Sequence, residues 1–506
     1  MKNCFLLLFF LINSTFSYPQ RGDTKHLSLA MDSMIERLDS TFNSQFGMGI
    51  VVVKNDKIIY EKYKGFADVE NLEKVAEGTE FYLSSITKSF TAMAALLLHE
   101  KGKLDLDKRL TQYFNDIKFE GVPYADSINI RHLLSHTSGI SNDYLADRKA
   151  YYGNYTHGVL LKLLSKFTTT NAVGLGNFDY DNLGYNILEL IIERELGQDW
   201  KEVVTDEVLK PIGMDETFTS LSALMNHQIP VAQPHYQSNI SGALEKLEIK
   251  KNDKMLHAAG GNYSTVKDMA KWLIVQLNEG KINGKQAIPA HLIKLSHTPQ
   301  AFQELTYIDI DRYGYGYGWN LGVNIEKDTI IHHFGGFPGY HSEVWLQPEN
   351  DIGVAVMVNE GSGIGIVTSY LLSSYAIDYF LHPEGIDEKY ENQLAAYSQM
   401  AMENFESMAK EKEKRSERQW KLELPNQMYV GTYTSEELGS IQIAFSDSKG
   451  FQVTHGLIKS KTVEPYTLEN SMRVDILENG SVFKFNIKDG KVKSLVQEDV
   501  VYIKEY

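Results

Sequence analysis

Hydrophobic spacing divides the chain into three stretches of different character. Leu27, Leu29, Met31, Met34, Ile35 and Leu38 recur at helical spacing and predict a helix over 27–46. Gly49-Ile-Val-Val-Val53, a turn at Asn55-Asp56 and Ile58-Ile59-Tyr60 predict a β-hairpin. From Ile86 to His99 nearly every position is apolar, the pattern of a helix buried in a large core. Further helices are predicted at 186–196, 199–209 and 265–278. A second hairpin follows, from Val344-Trp345-Leu346 through Glu349-Asn350-Asp351 to Gly353–Val358. Helices between two separated hairpins predict an α+β fold with one sheet assembled from both ends of the stretch.

Residues 386–424 change character. They favour helix and carry the mixed-charge run Lys410–Arg415 before Pro425, which predicts a solvated connecting helix. Beyond it come short alternating runs at 441–445, 482–485 and 492–495, with turn pairs at Asn479-Gly480 and Asp489-Gly490. These predict a small antiparallel β domain over 425–506. With 506 residues, more than one core is expected.

The N-terminus reads as a secretory signal over 1–17: Lys2, an apolar run from Phe5 to Ile12, then small residues at Ser14, Thr15 and Ser17. The run is too short to span a bilayer, and no integral membrane segment is expected after its removal. The single cysteine, Cys4, lies inside this signal, so the mature chain is expected to lack disulfides, a thiol nucleophile and cysteine-ligated metal. A periplasmic or secreted location follows. The net charge of −16 disfavours nucleic acid and anionic membrane surfaces as partners.

The chemistry rests on three short patterns. S-x-x-K occurs at Ser85, Ser264, Ser407, Ser446 and Ser481, and context separates them. Ser407 lies in the charged connector, Ser446 at a β turn and Ser481 at a strand start, where residues three apart face opposite ways. Ser264 reads as a helix N-cap. Ser85 opens the buried helix, which carries Lys88 one turn along on the same side. A desolvated lysine gives up its proton more readily, and its amine can then accept the Ser85 proton as the hydroxyl attacks a carbonyl. The plain alternative is another N-cap with a snorkelling lysine.

Tyr180-Asp-Asn182 runs straight into a buried helical pattern, unlike the Y-x-N copies at Tyr113, Tyr152 and Tyr390. In such a loop the phenol can pass a proton to a leaving group and the amide can bind a substrate carbonyl; an aromatic loop anchor is the alternative. His333-Phe-Gly335 precedes a strand, and its glycines permit close backbone approach and an oxyanion-binding N–H. The pairs His332-His333 and His132/His136 raise the question of metal, but neither H-E-x-x-H nor an acidic third ligand accompanies them. No metal and no cofactor are expected.

Ser85-Ile-Thr-Lys88, Tyr180-Asp-Asn182 and His333-Phe-Gly335 together resemble the three motifs of the serine β-lactamase-related family, which includes class C β-lactamases, D-alanyl-D-alanine carboxypeptidases and esterases. Supporting stretches match at 132–140, 211–214, 259–264 and Tyr315-Gly-Tyr-Gly-Trp319. The resemblance implies a helical region against an antiparallel sheet over 27–385, with the site between them and His132 and His136 structural. It implies Ser85, Lys88 and Tyr180 as catalytic residues, and Asn182, His333 and Gly335 as substrate- or oxyanion-binding ones. The C-terminal part is similar to the lipocalin-like β domains appended to some members. His333 departs from the family's Lys-Thr-Gly, whose lysine attracts a substrate carboxylate, and no class A deacylating glutamate motif is evident. The expected activity is therefore cleavage of an ester, amide or D-amino-acid peptide bond in a small or short-peptide substrate. A β-lactamase and a catalytically idle penicillin- or peptidoglycan-binding sensor are the alternatives. Tyr313, Tyr315 and Tyr317 offer either an aromatic wall for the substrate or ordinary core packing.

Overall fold

The computed structural model describes residues 24–506 apart from 228, 241, 437, 477 and 478, so the expected signal over 1–17, with Cys4, lies outside the described residues. Helix α1 (Thr24–Phe42) leads into β1 (Met48–Lys54) and β2 (Lys57–Lys64). The turn between them holds Asn55 and Asp56 at φ 48° and 62°, left-handed values that asparagine and aspartate tolerate. The sheet then waits for the far end of the same stretch: β3 (Ala301–Tyr307), β4 (Ile310–Tyr315), β5 (Asn320–Val323), β6 (Thr329–Phe337), β7 (Tyr340–Gln347) and β8 (Ile352–Val358). Among the described residues these eight strands run in the order β3-β4-β5-β6-β7-β8-β1-β2. The join between the two ends is antiparallel, with Val51 opposite Ala355.

Both faces of this sheet are covered, which is why β1 is a continuous apolar run and not an alternating one. Ile50 and Val52 point to one core with Leu27, Met31, Met34 and Tyr375. Val51 and Val53 point to the other, with Phe90, Trp272 and the helical region. The first face carries α1 and a later helix, α5 (Gly363–Leu381). The second carries α2 (Thr87–Glu100), α3 (Leu183–Leu196) and α4 (Val266–Leu277). By length and composition α5 is apolar enough to cross a membrane, yet 72% of its apolar window is buried, consistent with a core helix.

The connecting helix α6 (Ile386–Ser416) departs from expectation. Ile386, Tyr390 and Leu394 form a buried stripe one turn apart, and the Tyr390 hydroxyl donates to Asp378 on α5 at 2.8 Å. Abundant charge on the other faces hid that stripe in the sequence. The helix ends at the last unit, where Arg415 pairs with Glu464 at 2.9 Å.

That unit is a single antiparallel sheet: among the described residues, strands β9 (Gly431–Ser435), β10 (Gly439–Ser446), β11 (Gly450–His455), β12 (Ile458–Lys459), β13 (Thr462–Pro465), β14 (Ser471–Ile476), β15 (Asn479–Lys488), β16 (Lys491–Gln497) and β17 (Val500–Lys504). They run in the order β12-β11-β10-β9-β17-β16-β15-β14-β13, curling as a half-barrel around Tyr433, Phe483 and Leu495. Asp489-Gly490 makes the expected turn, with φ 54° and 66°. The other turn pair is displaced: Ile476 pairs with Asn479, and Asn479-Gly480 belongs to β15.

Candidate active site

The chain enters the site through a strained corner. Ser84 sits at φ 49°, a left-handed value unfavourable for a residue with a side chain. It opens a tight helical turn, Ser84–Ile86, that continues into α2. Every residue from Thr87 to Leu98 is buried, whereas Ser85 is half-exposed to the cleft. The Ser85 hydroxyl thus stands at the open end of a dry helix.

Lys88 lies one turn on, wholly buried, and its Nζ has three oxygen neighbours. These are Ser85 Oγ at 3.0 Å, Asn182 Oδ1 at 2.8 Å and the Ala259 carbonyl at 2.9 Å. Burial pulls the amine down to about 7, against the opposing pull of the Asp181 carboxylate. Two of the three neighbours are carbonyl oxygens, which only accept. An uncharged Lys88 donates its two N–H groups to them, and its lone pair is then left facing the Ser85 hydroxyl. The geometry can remove a proton from Ser85.

Tyr180 closes the site from the loop before α3. Ser85 is near enough to pull its phenol's pKa down against burial, and the tyrosine ring centroid lies 4.9 Å from Lys88 Nζ. The residue is 41% exposed, so it borders the cleft, while burial around the hydroxyl pushes its pKa up. At neutral pH it is a proton donor, not a phenolate base. Asp181 anchors the loop by accepting the Gly184 N–H at 2.8 Å at the start of α3, and burial raises its carboxyl to about 6. With its Oδ1 occupied by Lys88, Asn182 has its amide N–H groups to offer a substrate carbonyl.

The third motif lies on β6. Strand β5 pairs with β6 only over Thr329–His332, which leaves the edge from His333 to Phe337 without a partner strand on that side. Gly335 passes directly over the Ser84–Ser85 corner: a Cβ there would stand 3.1 Å from Ser84 Cβ. His333 bonds the Tyr315 hydroxyl through Nε2 at 3.2 Å and the Phe334 carbonyl through Nδ1 at 2.7 Å. Burial foremost, then the charge of Lys88, hold its imidazole down at about 3. It is neutral at physiological pH and supplies no cation to a substrate carboxylate.

The structure therefore brings Ser85, Lys88, Tyr180, Asn182, His333 and Gly335 together. It also recruits residues the motifs did not mark. His136, at φ 58°, packs under Tyr180 with ring centroids 4.5 Å apart, and its Nδ1 accepts the Asp181 N–H at 3.3 Å. Its HTSG-type setting was legible, its place beneath the tyrosine was not. The Ala259 carbonyl is a backbone group and leaves no residue-type signal. Of the three tyrosines, Tyr315 reaches the site, Tyr317 is buried and Tyr313 faces solvent.

The remaining candidates separate cleanly. Ser264 is buried in a short strand and bonds Thr217 at 2.8 Å. The helix cap expected of it is made instead by Thr265, whose side chain accepts the Asp268 N–H. His132 accepts the Asn129 N–H, and His332 faces away, taking a bond from Arg312 Nε at 3.1 Å. Among the described residues no three His, Cys, Asp or Glu side chains are grouped to hold a metal ion.

Protein flp of Staphylococcus aureus is 25% identical over 318 residues, covering 62% of this chain and 60% of that one. The chain thus spans about 60% of the length of the first such relatives. An octameric penicillin-binding protein homologue from Pyrococcus abyssi superposes with a TM-score of 0.58 at 23% identity, over 94% of this chain and 99% of that one. The D-amino acid amidase of Ochrobactrum anthropi SV3, complexed with L-phenylalanine amide, gives a TM-score of 0.57 at 20% identity over 72% of this chain and 99% of the other. These two show a shared fold. The sequence pattern of the Beta-lactamase family matches residues 35–369, two thirds of the chain, and this protein belongs to that family.

Proposed function

We propose that the protein is an exported serine hydrolase that forms an acyl-enzyme on Ser85 and cleaves an ester, amide or D-amino-acid peptide bond. One observation carries this reading: the buried Lys88 amine, with two carbonyl acceptors and the Ser85 hydroxyl as its three neighbours. In the first step Ser85 Oγ attacks the substrate carbonyl carbon and its proton passes to Lys88. Backbone N–H groups at the nucleophile turn and along the open edge at Gly335 receive the oxyanion. As the tetrahedral carbon collapses, the bond to the leaving group breaks and the Tyr180 phenol delivers the proton it needs. Water then attacks the acyl group by the same route in reverse, releasing the acid and Ser85.

The neutral His333 favours esters and amides over β-lactams, because a substrate carboxylate finds no charged lysine at that position. The fold shared with a D-amino acid amidase points the same way. The proposal includes the division into a signal over 1–17, a hydrolase unit over 27–385, a connector over 386–424 and a β unit over 425–506, with action outside the cytoplasm. Hydrolysis of p-nitrophenyl esters, D-alanyl amides and nitrocefin by the wild type and Ser85→Ala tests it. Ester or amide turnover that vanishes in the variant is expected. Dominant nitrocefin turnover would make the protein a β-lactamase, and stable acylation without turnover would make it a sensor.

A further inference from the structure

One face of α3 carries a ladder of polar side chains, each a turn beyond the last: Asn182 just before the helix, then Asn186 and Glu189. Their partners include Lys88 and successive residues of the segment 257–258 that leads to the Ala259 carbonyl. Asn182 Oδ1 accepts from Lys88. Asn186 Oδ1 bonds His257 Nδ1 at 2.7 Å. Glu189 Oε2 accepts the Ala258 N–H at 3.0 Å, and its Oε1 takes the Lys149 ammonium at 2.7 Å. Glu189 and Lys149 are 3% and 1% exposed, a closed ion pair in the interior. The Ala258 carbonyl is held in turn by Thr91 Oγ1 at 2.8 Å, from α2 itself.

The ladder thus ties down residues 257 and 258, and the next carbonyl, that of Ala259, is one of the two acceptors that orient Lys88. Buried ion pairs are poor stabilisers compared with apolar residues of the same size. Here the pair does something an apolar pair cannot: it fixes one carboxylate oxygen on the Ala258 N–H, two peptide units before the Lys88 acceptor. We infer that Glu189, held by Lys149, is a positioning residue that sets the direction of the Lys88 lone pair through the Ala258–Ala259 backbone. Lys149 is itself placed by a segment that touches the C-terminal sheet, where Tyr152 stacks on His455 at 3.8 Å. This inference rests on the proposed roles of Ser85 and Lys88.

The test compares two double variants of the full chain, because removing Glu189 alone strands a buried ammonium. Lys149→Met with Glu189→Leu replaces the pair by apolar side chains and leaves Ala258 N–H without its acceptor. Lys149→Met with Glu189→Gln also removes both charges but keeps a carbonyl oxygen for that N–H. With an ester substrate, the leucine variant should lose about 100-fold in kcat with KM within threefold of wild type. The glutamine variant should recover to within about tenfold of wild type. Thr91→Val, nearly isosteric, frees the Ala258 carbonyl, in the peptide between the Ala258 N–H and the Ala259 carbonyl, and should lower kcat about tenfold, which keeps the question answerable if the double variants do not fold. A leucine variant that turns over within threefold of wild type, a glutamine variant no better than it, or an unaffected Thr91→Val overturns the inference. Ser85→Ala run alongside separates the failures: turnover surviving there rejects the acyl-enzyme reading, whereas turnover lost there but intact in the leucine variant rejects only the positioning role.

Discussion

Gly335 crosses the corner before Ser85 so closely that a methyl group on it would lie 2.1 Å from the Leu83 carbonyl oxygen. Backbone cannot yield at that contact without moving either β6 or the turn that presents Ser85. Gly335→Ala should therefore misplace the nucleophile against the strand edge. The expected loss is at least about 100-fold in kcat/KM, with destabilisation of about 1–3 kcal/mol from overpacking. Ester kinetics and thermal unfolding of the same preparation measure both.

The rate should follow the protonation of Lys88. Only its uncharged form can take the Ser85 proton, and burial places its titration at about 7. Below that pH, kcat/KM for an ester should fall about tenfold per unit, and above it the rate should level off. Burial raises the Tyr180 phenol, so a second limb on the alkaline side is not expected below pH 10. His333 titrates near 3, and His333→Asn should leave the position of the acid limb unchanged.

The same burial has a stability signature of opposite convenience to the fold. An exposed lysine keeps its proton up to about 10.5, whereas folded Lys88 releases it at about 7. Across that window the unfolded chain binds a proton that the folded one lacks, so this residue makes stability rise with pH; below about 7 its penalty is constant. The full difference is on the order of 5 kcal/mol. Urea unfolding at pH 7 and pH 9.5 should show the wild type gaining about 2–4 kcal/mol relative to Lys88→Met. Because Lys251 is also buried and lowered, the difference between the two proteins, not the wild-type slope alone, reports Lys88.

Tyr180 should discriminate by leaving group. An amine must be protonated as it departs, whereas p-nitrophenolate leaves without help. Tyr180→Phe is expected to cost more than about 100-fold on an amide and less than about tenfold on a p-nitrophenyl ester. Parallel kinetics on both substrates check the ratio.

What could be read in the chain and what could not divides along physical lines. The i, i+3 spacing of Ser85 and Lys88 on an apolar helix prescribes their meeting, and the two hairpins prescribe strands at both ends of one sheet. Side-chain motifs of that kind are local. The Ala259 carbonyl is invisible because every residue has one, and only the tertiary path of 257–260 brings it to Lys88. The family resemblance implies a structural role for His136, but its contact with Tyr180 depends on a left-handed backbone that the sequence does not signal. Serine caps helices at least as well as threonine, so Ser264 reads as the cap that Thr265 actually makes. In α6 the buried stripe Ile386, Tyr390 and Leu394 was outweighed by its charges, and only the packing of α5 identifies the inner face.

The central claim is tested most directly by trapping the nucleophile as a covalent adduct. The chain would be treated with a fluorophosphonate at pH 5.5 and 8.5 and the modified peptide identified by mass spectrometry. The account predicts a single adduct on Ser85, formed faster at the higher pH and absent from Ser85→Ala. An adduct on Ser264 or elsewhere, or labelling that persists in Ser85→Ala, would contradict it.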